Sequence, residues 1–384
     1  MTSAPRLTYC GNVHAADDVD GWLAGLDLHA APVARAAAAA GRAFGLGAWW
    51  PAPVAAAIAG DPAVRDRVAA HLHARGLVPW TLNVFPFAGF HDAVVKTAVY
   101  APDWETEERL LYTRHCAEAV AALVPAGSVV PLSTLPLGYR APGAGADLRR
   151  MARNLARAAS MLAAVRERTG VHCVLALEPE PFCLLESCAQ AAEFLEQWMF
   201  EEGAWPTVPA AALRAHLGVC VDLCHLFVIG EDPVAAISDL QRRGIAVPKV
   251  QVSSCLEVRA ADGLDRLLGF DEPRYLHQTV AAAGPRALDL DGVRRDRDRF
   301  ADALRGGPVR THYHMPIWWD EDGAFGSTRA ALDRALRALR SLRPAPVFEV
   351  ETYTWSVLGD FGGAEPLAVR LARELDHAAK LLGA

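Results

Sequence analysis

Gly218-Val219-Cys220-Val221-Asp222-Leu223-Cys224-His225 is a short apolar stretch that reaches an acid and, three residues later, a histidine. Its apolar, β-branched character predicts a buried strand of a parallel sheet. A buried strand rarely carries a carboxylate at its end unless charge or a metal ion is needed there. We therefore predict that this strand end forms one wall of a metal site, and that the fold serves to present it.

The same pattern repeats along the chain: a short apolar run, a break at Gly, Pro or Asn, and then a longer helical stretch. Eight parallel strands alternating with helices close a (β/α)8 TIM barrel, which is the fold class that we predict. The competing arrangement is a doubly wound open sheet, but the first strand is not followed by Gly-x-Gly-x-x-Gly. The predicted strands are 7–13, 44–50, 78–85, 129–137, 172–177, 217–223, 247–253 and 346–350.

More chain lies between the seventh and eighth predicted strands than a single crossover needs. Residues 256–308 are polar and rich in Arg and Asp, and the segment that follows them holds His312 and His314. A long loop after strand seven emerges at the C-terminal face of a barrel, where the active sites of this fold lie. We expect residues 1–384 to form one TIM-barrel domain, with 256–308 as an insertion over that face.

The composition excludes several classes of function. The net charge is −7 and no lysine-rich run occurs, which argues against a nucleic-acid partner. No apolar run reaches the ~20 residues that a membrane span needs, and residues 1–6 show no signal-peptide pattern. The eight cysteines form no Cys-x-x-Cys pair, so we expect them to be reduced and buried in a cytoplasmic protein.

Acids and imidazoles recur at the ends of the predicted strands five to eight, which meet at one mouth of a barrel. A mixed set of carboxylate oxygens and imidazole nitrogens suits Mn²⁺, Zn²⁺, Co²⁺ or Fe²⁺. Taken singly, each residue has a structural explanation such as a helix cap or an ion pair. Their joint placement favours a divalent metal site. The candidate metal ligands are Glu178, Asp222, His225, Gln251, His312, His314 and Glu351.

Other residues are predicted to lie at the same face and to contact a substrate. For His14, which follows strand one, a position in a surface turn is as good an interpretation as contact with a substrate. Tryptophans near this face are candidates for stacking on a sugar, although packing in the core is their usual role. The candidate substrate-binding residues are His14, Asn83, His91, Glu180, His277 and Glu349. The tryptophans are Trp49, Trp50, Trp318, Trp319 and Trp355.

Asp222-Leu223-Cys224-His225 resembles the Asp-x-Cys-His element of the xylose-isomerase-like barrels, a superfamily of sugar isomerases, epimerases and endonuclease IV-type enzymes. Segments spread over nearly the whole chain resemble the EboE-type metabolite traffic proteins. That resemblance implies a bacterial protein from a small gene cluster linked to specialised metabolites and their export, and it implies no particular reaction. The segments are 8–14, 81–86, 99–104, 133–139, 177–181, 275–278, 312–316 and 349–355.

The superfamily resemblance implies roles for individual residues. Glu178 corresponds to the strand-five ligand, Asp222 and His225 to the strand-six pair, and Glu351 to the strand-eight ligand, with Glu349 as the alternative in register. Sugar isomerases of this type place a histidine on strand seven, where this chain has Gln251. We expect His312 or His314 to supply the replacement imidazole.

Three hypotheses about function follow. The first is a metal-dependent isomerase or epimerase of a sugar- or cyclitol-type metabolite in an ebo-type pathway, with Glu178 and Glu351 as the catalytic pair that moves the proton. The second is a metal-dependent hydrolase of a small phosphate or other ester. The third is a non-catalytic metabolite-binding or traffic protein, with other proteins of the same gene cluster as partners.

Overall fold

The computed structural model describes residues 5–140, 143, 145–321, 323–358 and 365–384. Residues 1–4 of the N-terminal segment 1–6, which showed no signal-peptide pattern, therefore lie outside the described residues. An eight-stranded sheet, in which every neighbouring pair is parallel, forms the centre of the molecule. Its strands are β1 (Arg6–Tyr9), β2 (Leu46–Trp49), β3 (Pro79–Asn83), β4 (Val129–Thr134), β5 (His172–Leu177), β6 (Leu217–Asp222), β7 (Ala246–Val252) and β13 (Val347–Val350).

The sheet closes almost completely between its two edges, β1 and β2. A single parallel bridge joins Cys10 to Gly47, and Thr8 Oγ1 donates to Gly45 O at 2.6 Å and accepts from Gly47 N at 3.0 Å. A side chain at Gly47 would overlap Glu349 Oε1 and Tyr9 O, so a glycine is needed where the edges meet. The (β/α)8 TIM barrel is therefore confirmed, and the open sheet is excluded.

Helices surround the barrel and bury an apolar face against it. In the longest of them, Asp147 caps the first turn by accepting from Arg150 N at 3.0 Å, and Gly170 ends the helix with φ 73°. The helices are α1 (Val19–Gly25), α2 (Ala31–Ala39), α3 (Ala52–Gly60), α4 (Pro62–Ala74), α5 (Glu107–Leu123), α6 (Leu148–Thr169), α7 (Cys188–Phe194), α8 (Ala210–His216), α9 (Leu223–Ile229), α10 (Pro233–Arg242), α11 (Gly263–Leu268), α12 (Leu290–Arg295), α13 (Arg297–Ala303), α14 (Arg329–Leu339) and α15 (Leu367–Leu382).

A second sheet follows β7 directly and precedes α14. Its five strands are antiparallel, in the order β10-β9-β11-β8-β12. They are β8 (Ser254–Val258), β9 (Thr279–Ala281), β10 (Arg286–Ala287), β11 (Val309–Met315) and β12 (Phe325–Ser327). The second sheet therefore begins before residue 256 and ends after residue 308, so it is longer than the predicted insertion 256–308. Its strand β11 carries His312 and His314 on one face.

Two further expectations concern the whole molecule. All eight cysteines are buried and none forms a disulfide. Within the described residues, none of the helices combines the length and apolarity that are needed to cross a bilayer.

Candidate metal centre

A cavity opens at the C-terminal ends of the barrel strands, and its empty volume together with the solvent-filled mouth is about 540 Å³. Its walls come from the turn after β1, the long loop after β3, the residues after β5, β6 and β13, and the second sheet with the segment before β9. The lining residues are Asn12, Asn83, Phe85, Pro86, Phe90, Val95, Lys96, Val99, Tyr100, Glu178, Glu180, His225, Tyr275, Leu276, Gln278, His312, His314, Glu351 and Tyr353.

Three buried carboxylates, which we call the carboxylate cluster, lie together at the base of this cavity: Glu178 and Glu351 line it, and Asp222 lies beside them. Oxygens of Glu178, Asp222 and Glu351 lie within 4.8 Å of one another, and these residues are 3%, 0% and 5% exposed. Glu178 Oε2 and Asp222 Oδ2 have no hydrogen-bond partner among the residues that the structure describes. Such a group of buried carboxylates is strongly unfavourable unless protons or a cation neutralise it.

The pKa values reflect this crowding. Burial, together with the charges of Glu351 and Asp222, raises the pKa of Glu178 well above its usual range. Burial also raises the pKa of Asp222, and burial with the charges of Asp222 and Glu349 raises the pKa of Glu351 to about 8. The cluster therefore retains protons near neutral pH unless a cation is bound to it.

Three histidines, which we call the imidazole cluster, lie beside the carboxylates. Nε2 of His312 lies 3.2 Å from Nε2 of His225 and 3.1 Å from Nε2 of His314. The other ring nitrogen, Nδ1, faces a carbonyl-type oxygen in each case. That of His225 lies 2.9 Å from Pro179 O, and that of His312 lies 2.8 Å from Gln278 Oε1. That of His314 lies 2.7 Å from Glu351 O.

The orientation of these rings determines where their lone pairs point. A carbonyl oxygen only accepts, so Nδ1 must carry the proton in each ring, and the neutral ring then has its lone pair on Nε2. Burial keeps the rings neutral: it lowers the pKa of His225, lowers that of His314 to about 4, and, together with the charges of the neighbouring histidines, lowers the pKa of His312 well below its usual value. The three Nε2 lone pairs are therefore available to a cation, and each histidine belongs to at least one group of neighbouring side chains that could hold a metal ion.

Asp222 connects the two clusters. Its Oδ1 lies 3.9 Å from His225 Nε2 and its Oδ2 lies 4.0 Å from His314 Nε2. The same carboxylate caps α9 by accepting from His225 N at 2.8 Å, and it accepts from Ser253 Oγ at 2.9 Å. Because the strand end and the first turn of α9 share this cap, the sequence Asp-x-x-His holds both side chains in place.

Neutral donors orient the carboxylate after β13. Glu351 Oε1 accepts from Asn12 Nδ2 at 2.7 Å and from Asn83 Nδ2 at 3.3 Å. Asn12 is held in turn by His91, whose Nε2 lies 2.7 Å from Asn12 O. His91 thus lies behind the cavity wall and acts through Asn12.

A second group of hydrogen bonds holds Glu180, the carboxylate that lies beside the imidazole cluster. Glu180 Oε1 accepts from Tyr100 Oη at 2.6 Å and from Gln278 Nε2 at 3.0 Å. It also lies 3.5 Å from His312 Nδ1. Gln278 therefore links Glu180 to His312 and fixes the orientation of both.

Several of the predicted site residues lie elsewhere. Glu349 is fully buried one layer deeper, where its Oε2 forms an ion pair with Lys249 Nζ at 2.6 Å. Gln251 lies in register with Asp222 and does not line the cavity, and both atoms of its amide lack a partner in the described part of the chain. His14 stacks on His29 at 4.5 Å beside a separate, smaller cavity.

The segment before β9 holds a further difference. His277 turns away from the cavity, where its Nε2 lies 3.1 Å from Glu272 Oε1 and its ring stacks on Tyr313. The adjacent Gln278 faces the cavity instead. Gln278, Asn12 and Tyr100 line the cavity but were not among the predicted site residues. A signal was present only for Asn12, a polar residue at the C-terminal end of a predicted strand.

The tryptophans proposed for stacking on a sugar do not line the cavity. Trp49 lies behind its wall, where Nε1 donates to Pro86 O at 2.9 Å and the ring contacts Phe90. The aromatic lining is instead made of Phe85, Phe90, Tyr100, Tyr275 and Tyr353.

Comparisons with known proteins agree with this architecture. A profile of the xylose isomerase-like TIM barrel family matches residues 33–273. The solved structures that resemble the chain include an IOLI protein with a bound zinc atom (12% identity, 98% of each chain covered, TM-score 0.51) and a D-tagatose 3-epimerase-like protein (12% identity, 98% of each chain covered, TM-score 0.50). No curated protein matches the sequence. With the profile spanning more than half of its length, the chain belongs to the xylose isomerase-like TIM barrel family.

Proposed function

We propose that the protein is a metal-dependent isomerase or epimerase that acts on a small sugar- or cyclitol-type metabolite. The observation that carries this proposal is the grouping of buried ligand atoms at one cavity at the C-terminal face of the barrel. Two of these atoms, Glu178 Oε2 and Asp222 Oδ2, have no hydrogen-bond partner in the part of the chain that the structure describes. Sites of this fold lie at that face, and a mixed set of carboxylates and imidazoles suits Mn²⁺, Zn²⁺, Co²⁺ or Fe²⁺.

The side chains that would hold the ion are those of the two clusters, with Asp222 common to both. When bound, a divalent ion polarises a carbonyl or hydroxyl oxygen of the substrate. Gln251 would have to turn its amide oxygen toward the cavity to take part, so we assign the imidazole role to His314, which is the histidine beside Asp222 Oδ2. His225 and His312 complete the imidazole cluster.

The proton transfers are assigned to Glu178 and Glu351. Both lie in the cavity wall, and Glu178 Oε2, which has no partner among the described residues, can accept a proton from the substrate carbon. Glu351 is oriented by Asn12 and Asn83, so its carboxylate keeps one position relative to the bound substrate. One carboxylate removes the proton and the other returns it, either to the neighbouring carbon or to the opposite face.

Two relatives in fold support the proposed function, although they say nothing of the individual residues. The D-tagatose 3-epimerase-like protein bears the name of a sugar epimerase, and the IOLI structure contains zinc. The narrower resemblance to EboE-type proteins remains a prediction, as do the gene-cluster partners and the cytoplasmic location.

The test compares two buried glutamates. Glu178→Gln keeps the size of the side chain but removes a ligand and a base, whereas Glu374→Gln changes a fully buried glutamate that does not line the cavity. Metal content is measured by inductively coupled plasma mass spectrometry on protein purified without chelator, and proton transfer by exchange of substrate hydrogen with deuterated water across a panel of ketoses and inososes. We expect stoichiometric metal in the wild type and in Glu374→Gln, and loss of exchange in Glu178→Gln.

A wild-type protein without stoichiometric metal would contradict the proposal. So would a Glu178→Gln variant with unchanged metal content and unchanged exchange.

One observation favours a second candidate function, hydrolysis of a small phosphate or other ester. The imidazole cluster and the carboxylate cluster together offer enough ligand atoms for more than one ion, and paired ions are typical of phosphoester hydrolases. The two functions differ in stoichiometry and reaction. Two or more ions per chain with cleavage of p-nitrophenyl phosphate would favour the hydrolase, and one ion with hydrogen exchange would favour the isomerase.

A further inference from the structure

The cavity has two chemically different halves. The base holds the two clusters, Glu180 and the amides of Asn12, Asn83 and Gln278. The outer half, which we call the apolar wall, is made of hydrocarbon and aromatic side chains. The apolar wall consists of Phe85, Pro86, Phe90, Val95, Val99, Tyr100, Tyr275, Leu276 and Tyr353.

The polar atoms of the outer half are already occupied by protein partners. The hydroxyl of Tyr100 donates to Glu180 Oε1 at 2.6 Å, and that of Tyr275 donates to Phe90 O at 3.3 Å. The hydroxyl of Tyr353 lies 3.4 Å from His312 Nε2, at the inner edge of the wall. Tyr100 and Tyr275 therefore present ring surfaces, and not free hydroxyls, to whatever fills the outer half, whereas the hydroxyl of Tyr353 faces the base of the cavity.

Among the described residues of the cavity lining, Lys96 is the only lysine or arginine, and its ammonium group is also occupied. Lys96 Nζ donates to Glu272 O at 2.9 Å, to Tyr275 O at 2.6 Å and to Asp289 Oδ2 at 2.6 Å. These three bonds use all the donors of an ammonium group. Lys96 therefore holds the segment that carries Tyr275 in place and has no donor left for a ligand.

Part of the apolar wall is also separate from the main hydrophobic core. Trp49, Phe90, Val95, Tyr275 and Tyr353 form their own buried cluster, drawn from β2 and the loops after β3, before β9 and after β13. Ring centroids of Tyr275 and Tyr353 lie 4.8 Å apart, and those of Phe90 and Tyr275 lie 5.2 Å apart. This cluster is packed and pre-formed beside the cavity, as a binding surface for an apolar group requires.

We propose that the substrate carries neighbouring oxygens at one end, which meet the two clusters, and an apolar hydrocarbon or aromatic group at the other end, which meets the apolar wall. A free sugar with hydroxyls along its whole length fits this cavity less well than such a molecule, because its outer hydroxyls would face the apolar wall. Each hydroxyl buried without a partner weakens binding by roughly tenfold, whereas each buried methylene strengthens it by about fourfold. The inference rests on the proposed function, since it assumes that the oxygens bind at the metal.

Three hydroxamates with the same metal-binding head group test this proposal on the zinc-loaded protein. Acetohydroxamate is little more than the head group. Hexanohydroxamate and gluconohydroxamate share a six-carbon chain, but the latter bears a hydroxyl on every carbon beyond the head. By isothermal titration calorimetry we expect hexanohydroxamate to bind at least about tenfold more tightly than gluconohydroxamate. Equal affinity, or a preference for gluconohydroxamate, would overturn the proposal.

A pair of variants locates the effect. Phe90→Ala removes a ring of the apolar wall, and Leu111→Ala removes an exposed side chain of α5 that does not line the cavity. We expect Phe90→Ala to weaken hexanohydroxamate binding at least about fivefold while acetohydroxamate binding stays unchanged, which also shows that the variant is folded. If Phe90→Ala left hexanohydroxamate binding as strong as in Leu111→Ala, the wall would not contact the chain and the inference would fail.

Failure of this inference can be told apart from failure of the proposed function. Protein that retains no zinc, or zinc-loaded protein that does not bind acetohydroxamate, counts against the metal centre itself. Zinc-loaded protein that binds acetohydroxamate but prefers gluconohydroxamate to hexanohydroxamate leaves the metal centre standing and refutes only the apolar substrate.

Discussion

Glu374 of α15 provides a test of the electrostatics beneath the site. Its Oε1 accepts from Thr352 Oγ1 at 2.7 Å and from Ile317 N at 3.1 Å, so it ties α15 to the residue after Glu351 and to the chain after β11. The side chain is fully buried, and burial outweighs these two donors and raises the pKa to about 7 from the ordinary 4.5.

The sign of the effect follows from proton binding. Between pH 4.5 and about 7 the folded chain holds a proton on Glu374 that the unfolded chain has lost, so the free energy of unfolding falls as the pH rises. The stabilisation is complete below pH 4.5 and is lost once the pH exceeds the folded pKa. A difference of roughly 2.5 pH units corresponds to about 3 kcal/mol.

Glu374→Gln is neutral at every pH and removes this dependence. Urea unfolding of both proteins, followed by tryptophan fluorescence at pH 4.5 and about pH 8, gives the difference in unfolding free energy between wild type and variant. We expect that difference to shift by about 3 kcal/mol in favour of the variant at the higher pH, because all other titrating groups are common to both. Glu201→Gln, at an exposed position, is the control. If the difference is the same at both pH values, the argument is wrong.

Three further predictions concern barrel closure and the support of the site. Gly47→Ala should lower the free energy of unfolding by about 3 kcal/mol, because the new methyl group overlaps Glu349 and Tyr9. Gly60→Ala, whose methyl group meets nothing within 4 Å, should leave the free energy of unfolding unchanged, and equal melting temperatures of the two variants would contradict the prediction. Lys249→Met should lower stability by about 3–5 kcal/mol by leaving Glu349 unpaired, with Lys380→Met as the exposed control; equal melting temperatures would contradict this. Asn12→Ala should weaken zinc binding by about 10- to 100-fold in a chelator competition, and wild-type affinity would show that orienting Glu351 is unimportant.

The barrel could be predicted from the sequence because its signal is local. Buried parallel strands are short apolar runs between turn residues, and each predicted run overlaps a barrel strand. The predicted ends were less accurate: 7–13 was expected to be a strand, but β1 ends at Tyr9 and Gly11–Val13 form a 3-10 turn. That turn directs Asn12 at Glu351, which explains why a strand interpretation overlooked it.

Two features of the site could not be predicted: which layer of the barrel interior a side chain occupies, and which side chain faces the cavity in a segment without regular backbone structure. Glu349 and Glu351 share one face of β13 and its extension, and alternation alone does not tell which layer each occupies. The answer lies in Lys249, which is fully buried and pairs with Glu349. Likewise, His277 and Gln278 are adjacent in a segment without regular structure, so only tertiary contacts decide which of them faces the cavity.

The sequence left open whether His312 or His314 supplies the imidazole missing from strand seven. In the structure both histidines reach the site, and they have different neighbours. Two residues apart on β11, they point the same way, and their Nε2 atoms are 3.1 Å apart. Both lie within reach of His225, but only His314 also approaches Asp222 Oδ2. His312 is held by Gln278, the residue that also binds Glu180. The second sheet therefore brings two histidines with different neighbours to the barrel mouth: His314 extends the carboxylate cluster, and His312 couples it to Glu180 and the apolar wall.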